Sequence, residues 1–127
     1  MNTLPSAIVL FAHGSRDPLW RAPIDAVAAE ISRHAPGTAV RCAFLELMAP
    51  SLQEAVDALV QAGHRAVRVV PMFLGVGRHA REDLPVLIEQ LRQSHPDLVL
   101  ELLPAVGEMP EITRSLAQAA LQAGVST

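Results

Sequence analysis

Residues 67–85 read VRVVPMFLGVGRHAREDLP, and the stretch changes character halfway along. It opens as a Val-rich apolar run, which is typical of a strand buried on both faces of a parallel sheet. Gly75 and Gly77 then interrupt the run, and residues 83–85 predict the start of a helix. Because loops that follow parallel strands lie at the carboxyl edge of the sheet, where open α/β folds bind ligands, we expect His79 to lie in a loop at a binding site.

The rest of the chain repeats this alternation of strand and helix. Apolar runs of strand character lie at residues 7–12, 39–47 and 97–103. Helices with apolar residues three or four apart are predicted to begin at residues 17–18, near 50–51, at 83–85 and at 109, the last running to 123. The pattern predicts one α/β domain over residues 1–127, a three-layer α/β/α fold with a four-stranded parallel sheet in the flavodoxin-like order 2-1-3-4.

Composition limits the function classes. The chain has 127 residues, half of them apolar, which is enough for one domain with a real core. A net charge of -3 argues against duplex nucleic acid as a partner. A lone Cys42 cannot form an internal disulfide, and we expect it to be buried in the second strand. Residues 1–5 carry no charged, signal-like head and no apolar run is long enough to span a bilayer, so we expect a cytoplasmic protein with no membrane partner.

The five histidines divide between the two edges of the predicted sheet. His34, His64 and His95 each follow a helix, so we expect them at the amino edge, in capping and dipole-compensating roles. His13 and His79 each follow a strand and belong to the carboxyl edge. If the first and third strands are neighbours, the two imidazoles can converge on one site.

Glu46 is the acidic candidate for the same site. It ends the predicted second strand between apolar residues. A carboxylate in such surroundings needs an ion-pair or hydrogen-bond partner or a role in function. Two imidazoles and a carboxylate suit a divalent first-row metal, with positions left for water or substrate. The structural alternatives are a salt bridge from Glu46 to an arginine and capping of the helix that begins near Pro50.

Groups suited to an anionic, partly apolar substrate lie close to the same edge. All ten basic residues are arginines, and four of them, at positions 16, 21, 78 and 81, flank the first and third loops. Guanidinium groups and backbone amides at a helix entry both bind carboxylates. The expected substrate contacts are Gly14, Ser15, Arg16, Leu74, Val76, Gly77 and Arg78.

Three motifs, AHGSRD at residues 12–17, FLELMAPSL at 44–52 and VVPMFLGVGRH at 69–79, are similar to those of the short-form sirohydrochlorin chelatases of the class II chelatase superfamily. The resemblance covers nearly the whole chain. It implies that His13 and His79 handle the metal and that Glu46 is the acidic member of the site. It also implies a homodimer with the site between subunits, because short forms look like half of the longer, two-domain chelatases.

The activity implied by the resemblance is insertion of a divalent metal into sirohydrochlorin. Co²⁺ would belong to cobalamin biosynthesis and Fe²⁺ to sirohaem biosynthesis; Ni²⁺ would apply if the source makes coenzyme F430. The metal is then a substrate, and no organic cofactor is expected. The catalytic candidates are His13, His79 and Glu46, with His13 and His79 as metal ligands.

Three other functions remain open from the residues alone. A non-catalytic metal or tetrapyrrole carrier could use the same site. A phosphohydrolase is a second rival, since a His-Gly pair follows the first strand, although histidine phosphatases carry Arg-His-Gly and Ala12 precedes His13 here. A flavin-binding module is a third, weakened by the absence of Tyr and by an aromatic content of Trp20 and three Phe.

Overall fold

The structure is a computed structural model that describes residues 6–122. Its sheet has four parallel strands, β1 Ala7–Ala12, β2 Ala39–Phe44, β3 Ala66–Pro71 and β4 Val99–Leu102. They lie in the order β2-β1-β3-β4, which confirms the predicted topology. The first and third strands are therefore neighbours, and the connections that follow them leave the same edge of the sheet.

Four α-helices and two short 3-10 helices connect and follow the strands. The α-helices are α1 Ala22–His34, α2 Leu52–Gln61, α3 Arg78–Ser94 and α4 Pro110–Gln122. The 3-10 helices are Pro18–Arg21, which leads into α1, and Val106–Glu108, which leads into α4. Among residues 6–122, no helix is long and apolar enough to cross a membrane. The expected cytoplasmic location stays a prediction.

The core lies between the sheet and the pair α2 and α3. Alternate strand residues such as Val9, Phe11 and Val69 point to this face and are almost completely buried, and Leu59 and Ile88 cover them from the helices. The start of α2 is fixed by a reciprocal cap in which the Ser51 side chain accepts from the Glu54 amide and the Glu54 carboxylate accepts from the Ser51 amide.

The second strand is three residues shorter than the prediction of 39–47. It ends at Phe44, where the Phe44 amide donates to the Pro50 carbonyl at 2.9 Å. Leu47 then takes a positive φ of 66°, which extended backbone does not allow. Glu46 therefore lies beyond the end of β2, and the predicted strand end at this residue was wrong.

The third helix begins at Arg78, five residues before the predicted start at 83–85. Gly77 is its extended N-cap and Pro85 lies inside the helix, so the placement of His79 in a loop was also wrong. A proline within a helix removes one backbone hydrogen bond. The helix tolerates it because Pro85 faces solvent while the buried stripe Ala80, Leu84, Ile88 and Leu91 continues past it.

Other boundaries differ by smaller amounts. The segment that Asp17 caps is a 3-10 turn, and α1 follows it at Ala22. Cys42 is half-buried and not fully enclosed as predicted; its thiol lies 3.7 Å from Asp25 Oδ1, and burial with the nearby carboxylate raises the thiol pKa. The last helix runs to Gln122, and the predicted final residue 123 lies outside the described part of the chain.

Candidate functional site

His13 is the first residue beyond β1, at the carboxyl edge of the sheet. Its ring lies 4.6 Å from the ring of Phe73, at an interplanar angle of 41°. Phe73 is only 2% exposed and belongs to the core, whereas His13 is exposed. The contact therefore supports the imidazole on one side and leaves it open to solvent, and to a ligand, on the other.

At Gly14, the loop after β1 packs closely against the backbone of the loop after β2. It has a φ of +96°, and a Cβ at this position would lie 1.9 Å from the Glu46 carbonyl oxygen. The Glu46 amide donates to the His13 carbonyl at 3.0 Å. Only glycine permits this approach, and the approach brings His13 and Glu46 next to each other.

Neither structural alternative for Glu46 is found in the described part of the chain. Ser51 and Glu54, not Glu46, cap α2. Within residues 6–122, no basic side chain forms an ion pair with Glu46, and the residue is exposed. Its carboxylate is available to a ligand at the edge where His13 lies.

His79 lies at the same edge, as the second residue of α3. Its side chain is 94% exposed, and Nδ1 lies 4.0 Å from Asp83 Oδ2 on the next turn. The neighbouring Arg78 is also exposed and pairs with Glu82 at 3.1 Å. The first turn of α3 thus presents an imidazole and a guanidinium to solvent, and the prediction that His13 and His79 share one edge is confirmed.

The loop that precedes α3 rests on the short helix after β4. The Gly107 amide donates to the Phe73 carbonyl at 3.0 Å, and a Cβ on Gly107 would lie 1.6 Å from the Leu74 carbonyl oxygen. This glycine was missed at the sequence level, because its role depends on a residue more than thirty positions away. The sequence marks Gly107 only as a glycine that shortly follows the fourth strand.

Exposed apolar side chains accompany the polar groups at this edge. Leu19 and Trp20 follow β1, Leu47 follows β2 and Leu74 follows β3, and their exposed fractions are 80%, 38%, 54% and 69%. Large apolar side chains exposed at one edge of the sheet would suit contact with a partly apolar ligand. Of these four, only Leu74 was predicted; Val76, the other predicted apolar contact, is half-buried against the core.

The predicted anion-binding groups differ in their availability. Arg21 is held by Asp25, at 3.0 Å, and lies 4.7 Å above the Phe44 ring; the hydrogen bond that it donates to Asp25 is the main reason that its pKa is raised. Gly14 and Ser15 precede the helix entry, which Asp17 caps, so their amides do not form the first turn. The Ser15 hydroxyl instead accepts from the Asp17 amide. Arg16 is exposed beside them.

The remaining histidines, at positions 34, 64 and 95, lie at the opposite edge, and two of them contact carboxylates. His34 Nε2 is 3.0 Å from Glu30 Oε1, and His95, which caps the end of α3, has its Nε2 2.6 Å from Asp57 Oδ1 of α2. Among residues 6–122, no three His, Cys, Asp or Glu side chains come close enough together to bind one metal ion. One described chain therefore supplies an incomplete set of metal ligands.

The three-layer fold, with histidines directly after β1 and at the start of α3, is the arrangement expected of the class II chelatase superfamily. The chain belongs to the CbiX family, whose model matches residues 7–123. This finding confirms the resemblance drawn from the three sequence motifs and disfavours the phosphatase and flavin alternatives.

Similar proteins carry chelatase names. The sirohydrochlorin cobaltochelatase of Methanopyrus kandleri is 35% identical over 82 residues, which are 65% of this chain and 57% of that protein. The sirohydrochlorin cobaltochelatase of Sulfolobus acidocaldarius is 27% identical over 114 residues, 90% of this chain and 91% of that one. The match to the first of these thus spans little more than half of the relative's length.

Solved structures show the same fold. A Marinobacter aquaeolei VT8 protein named for CbiX and cobalamin biosynthesis has a TM-score of 0.82 at 29% identity, with 97% of this chain and 100% of that chain covered. The sirohydrochlorin chelatase SirB of Bacillus subtilis subspecies spizizenii, in complex with cobalt, has a TM-score of 0.77 at 23% identity. The match covers 94% of this chain but 51% of SirB, so this chain corresponds in length to half of SirB.

Proposed function

We propose that this chain, as one chelatase-like domain over residues 1–127, inserts Co²⁺ or Fe²⁺ into sirohydrochlorin, and that it acts as a homodimer with the site between the subunits. The observation that carries the proposal is the carboxyl edge, where His13 and His79 are exposed among apolar residues that could contact a flat macrocycle. The chelatase names of the similar proteins support it.

The reaction needs proton acceptors and a route for the metal. Insertion forms metal–nitrogen bonds in the macrocycle, releases two pyrrole protons and strips water from the hydrated ion. No electron is transferred, so the chemistry requires no organic cofactor. Neutral imidazoles and carboxylates can perform both tasks, as ligands for a first-row ion and as bases.

His13 and His79 are proposed as the residues that bind the arriving ion and take up the pyrrole protons. The ring of His13 is supported by buried Phe73, so it keeps its orientation while the metal passes. Glu46 is held beside His13 through the backbone and would accept a proton or orient an imidazole. An incomplete ligand set suits transfer better than storage, because a substrate metal must leave the protein.

The periphery of the macrocycle carries several carboxylates, and this edge offers groups that could bind them. Arg16, three residues after His13, and Arg78, next to His79 in the chain, are both exposed. Backbone amides at Gly14, Ser15 and Gly77 are further donors, and Leu74 and Val76 provide apolar contact. Guanidinium–carboxylate pairs fix orientation as well as adding affinity.

The geometry of one chain supports the dimer. A cavity beneath the first turns of α3 has a volume of about 230 Å³ and is lined by Phe73, Ala80 and Arg81 among others. Sites that enclose a small molecule usually span roughly 300–1,000 Å³. A tetrapyrrole would therefore lie on this edge as on one wall, and a second copy would supply the facing wall.

Cobalt and iron are both proposed substrates, because nitrogen and oxygen donors rank divalent ions in much the same order at any such site. Metal supply in the cell would then decide between cobalamin and sirohaem biosynthesis. Ni²⁺ is the third ion to test.

The test is anaerobic mixing of the protein with sirohydrochlorin and, separately, Co²⁺, Fe²⁺ and Ni²⁺, with the visible spectrum followed over time. We expect many turnovers per protein chain above the uncatalysed rate. Product that stops at one equivalent per site would contradict catalysis and identify a carrier.

Single substitutions locate the site. His13→Ala and His79→Ala are each expected to lower the insertion rate by at least ~100-fold while the circular dichroism spectrum and the melting temperature stay unchanged, because general-base and ligand roles are typically this large and both side chains are exposed. His64→Ala, at the opposite edge, is the matched control and should keep full activity. Full activity in His13→Ala or in His79→Ala would refute the site assignment.

A further inference from the structure

Asp83 does not have the role that the sequence predicts for it. It precedes Leu84 and Pro85 in the predicted helix start, yet α3 begins at Arg78 and Gly77 is its N-cap. Asp83 is therefore the sixth residue of the helix, beyond the first turn in which a carboxylate stabilises the helix dipole. Aspartate is also one of the weaker helix formers. Neither capping nor helix propensity explains a carboxylate at this position.

The carboxylate of Asp83 lies one turn after His79. Side chains four residues apart lie on the same face of a helix and lean toward its N-terminus, so Asp83 reaches back to the imidazole. Its Oδ2 lies 4.0 Å from His79 Nδ1. A hydrogen bond is about 1 Å shorter, and a small rotation of either exposed side chain closes the difference. Hydrogen bonds in active sites are often this long before the ligand binds.

The contact distinguishes the two ring nitrogens of His79. Nδ1 is the nitrogen near the carboxylate, whereas Nε2 has no hydrogen-bond or ionic partner in the part of the chain that the structure describes. A carboxylate that accepts from Nδ1–H holds the neutral imidazole in one tautomer and leaves the lone pair of Nε2 free for a metal ion. The geometry therefore makes Nε2 the ligand atom of His79.

The two histidines of the site are held in different ways. The ring of His13 packs against Phe73, with 4.6 Å between the ring centroids. Over residues 6–122, no aromatic ring packs against His79, and its side chain is 94% exposed. Exposed side chains change rotamer within nanoseconds. His79 thus depends on Asp83 for a fixed orientation, as His13 depends on Phe73.

A second pair with the same spacing lies beside the first. Arg78 donates to Glu82 at 3.1 Å, so the carboxylate of Glu82 is already engaged by a guanidinium. Among the described residues, no arginine forms an ion pair with Asp83. The carboxylate of Asp83 is therefore left to the imidazole, and Glu82 provides a matched control for the loss of one negative charge.

We propose that Asp83 is a positioning residue for metal insertion, which accepts a hydrogen bond from Nδ1–H of His79 and so directs Nε2 of this histidine at the incoming ion. The inference rests on the proposed function, in which His79 binds the ion, and adds a residue to it. Metal-binding histidines usually donate their second N–H to such a partner, and its loss typically costs about 10–100-fold in metal affinity or activity.

The tautomer of His79 tests the contact directly. Nitrogen-15 NMR of the imidazole at alkaline pH, where imidazoles are neutral, reports which nitrogen carries the proton. His79→Ala identifies the signals. We expect the Nδ1–H form in the wild-type protein, in Asp83→Glu and in Glu82→Ala, and the Nε2–H form in Asp83→Ala. The same tautomer in the wild-type protein and in Asp83→Ala would overturn the proposal.

Titration with Co²⁺ in the absence of sirohydrochlorin measures the effect on metal binding. Paramagnetic broadening of the His79 signals gives the Kd at this histidine. Asp83→Ala should raise the Kd by about 10–100-fold, whereas Asp83→Glu should restore most of the affinity and Glu82→Ala should stay near the wild-type value. Equal losses in Asp83→Ala and Glu82→Ala would assign the effect to charge alone and overturn the positioning role. Absence of Co²⁺ binding at His79 in the wild-type protein would overturn it as well.

Metallation assays separate this inference from the proposed function. Asp83→Ala should lower kcat with little change in KM for sirohydrochlorin, because the carboxylate acts through the imidazole and does not touch the macrocycle. Its melting temperature should not fall, since alanine is the better helix former. Wild-type turnover in Asp83→Ala would refute the positioning role alone. A wild-type protein with the expected tautomer and Co²⁺ affinities but no turnover would refute the proposed function alone.

Discussion

Substituting Gly107 by alanine tests whether the support beneath the Leu74 loop matters for metal insertion. The new Cβ would lie 1.6 Å from the Leu74 carbonyl oxygen, whereas real Cβ atoms essentially never approach other atoms closer than 3.0 Å. The contact must therefore open by the difference, about 1.4 Å. Because both atoms belong to the backbone or are fixed to it, the change cannot be absorbed by a side-chain rotation.

The displaced segment leads directly to the proposed site. Leu74 is followed by Gly77, the N-cap of α3, and by His79 in its first turn. A misplacement of about 1 Å in a catalytic arrangement can cost about 100-fold in rate. Overpacking usually costs about 1–3 kcal/mol of stability, which for a domain of this size corresponds to roughly 4–12 °C in melting temperature.

The assay measures initial rates of metallation and the melting temperature of Gly107→Ala against two controls. Gly75→Ala changes the same loop and Gly37→Ala a distant turn, and a Cβ at either position would meet no atom within 4 Å. We expect both controls to retain activity. If Gly107→Ala matched Gly75→Ala in rate and in melting temperature, the inferred support of the loop would be refuted.

Further predictions concern three residues outside this support. The raised pKa of Cys42 means that alkylation of the native thiol should begin only at higher pH than in the unfolded chain, and Asp25→Asn should move the onset down; identical pH profiles in native and urea-unfolded protein would contradict this. By the same linkage the stability contributed by Cys42 is present below the unfolded thiol pKa and is lost as pH rises through the folded one, which a melting-temperature series at alkaline pH would detect. Pro85→Ala should stabilise the protein by about 2 kcal/mol, because it restores a donor to the Arg81 carbonyl at an exposed position, partly offset by a more flexible unfolded chain; a lower denaturation midpoint would be the opposite result. Glu46→Gln should lower kcat for metallation with little change in KM for sirohydrochlorin, whereas a change in KM alone would assign Glu46 to binding.

Much of the fold could be predicted from the sequence because two local signals agreed. Short apolar runs and helical spacing alternate four times, and the parallel order then places strand-to-helix connections at one edge. That rule assigned His13 and His79 to the same edge, which the structure confirms. It needed no knowledge of side-chain contacts.

The start of α3 was mispredicted because two signals conflicted. Asp83 and Pro85 have the types favoured at a helix start, yet the buried stripe from Ala80 to Leu91 begins earlier and prevails. The benefit of burying that face exceeds the cost of one missing hydrogen bond. Such a balance depends on the packing partners of the helix, which a single sequence does not reveal.

The remaining features of the site arise from contacts between distant segments. Gly107 acts on Leu74 and Gly14 on Glu46, and neither pair is marked by spacing. The exposed positions of Trp20 and Leu47 likewise follow from where the chain turns after each strand. Sequence patterns give the type of residue at the edge, whereas tertiary contacts decide which of them face outward.

The hydrogen bonding between neighbouring strands continues past the strand ends into the loops of the site. The Glu46 amide bonds to His13, the Met72 amide to Phe11 and the Gly107 amide to Phe73. Amide protons at these positions should therefore exchange slowly with solvent, although several side chains beside them are exposed. Loops whose backbone is held in this way lose little conformational entropy when a rigid ligand binds. More of the free energy of the contacts then contributes to the affinity.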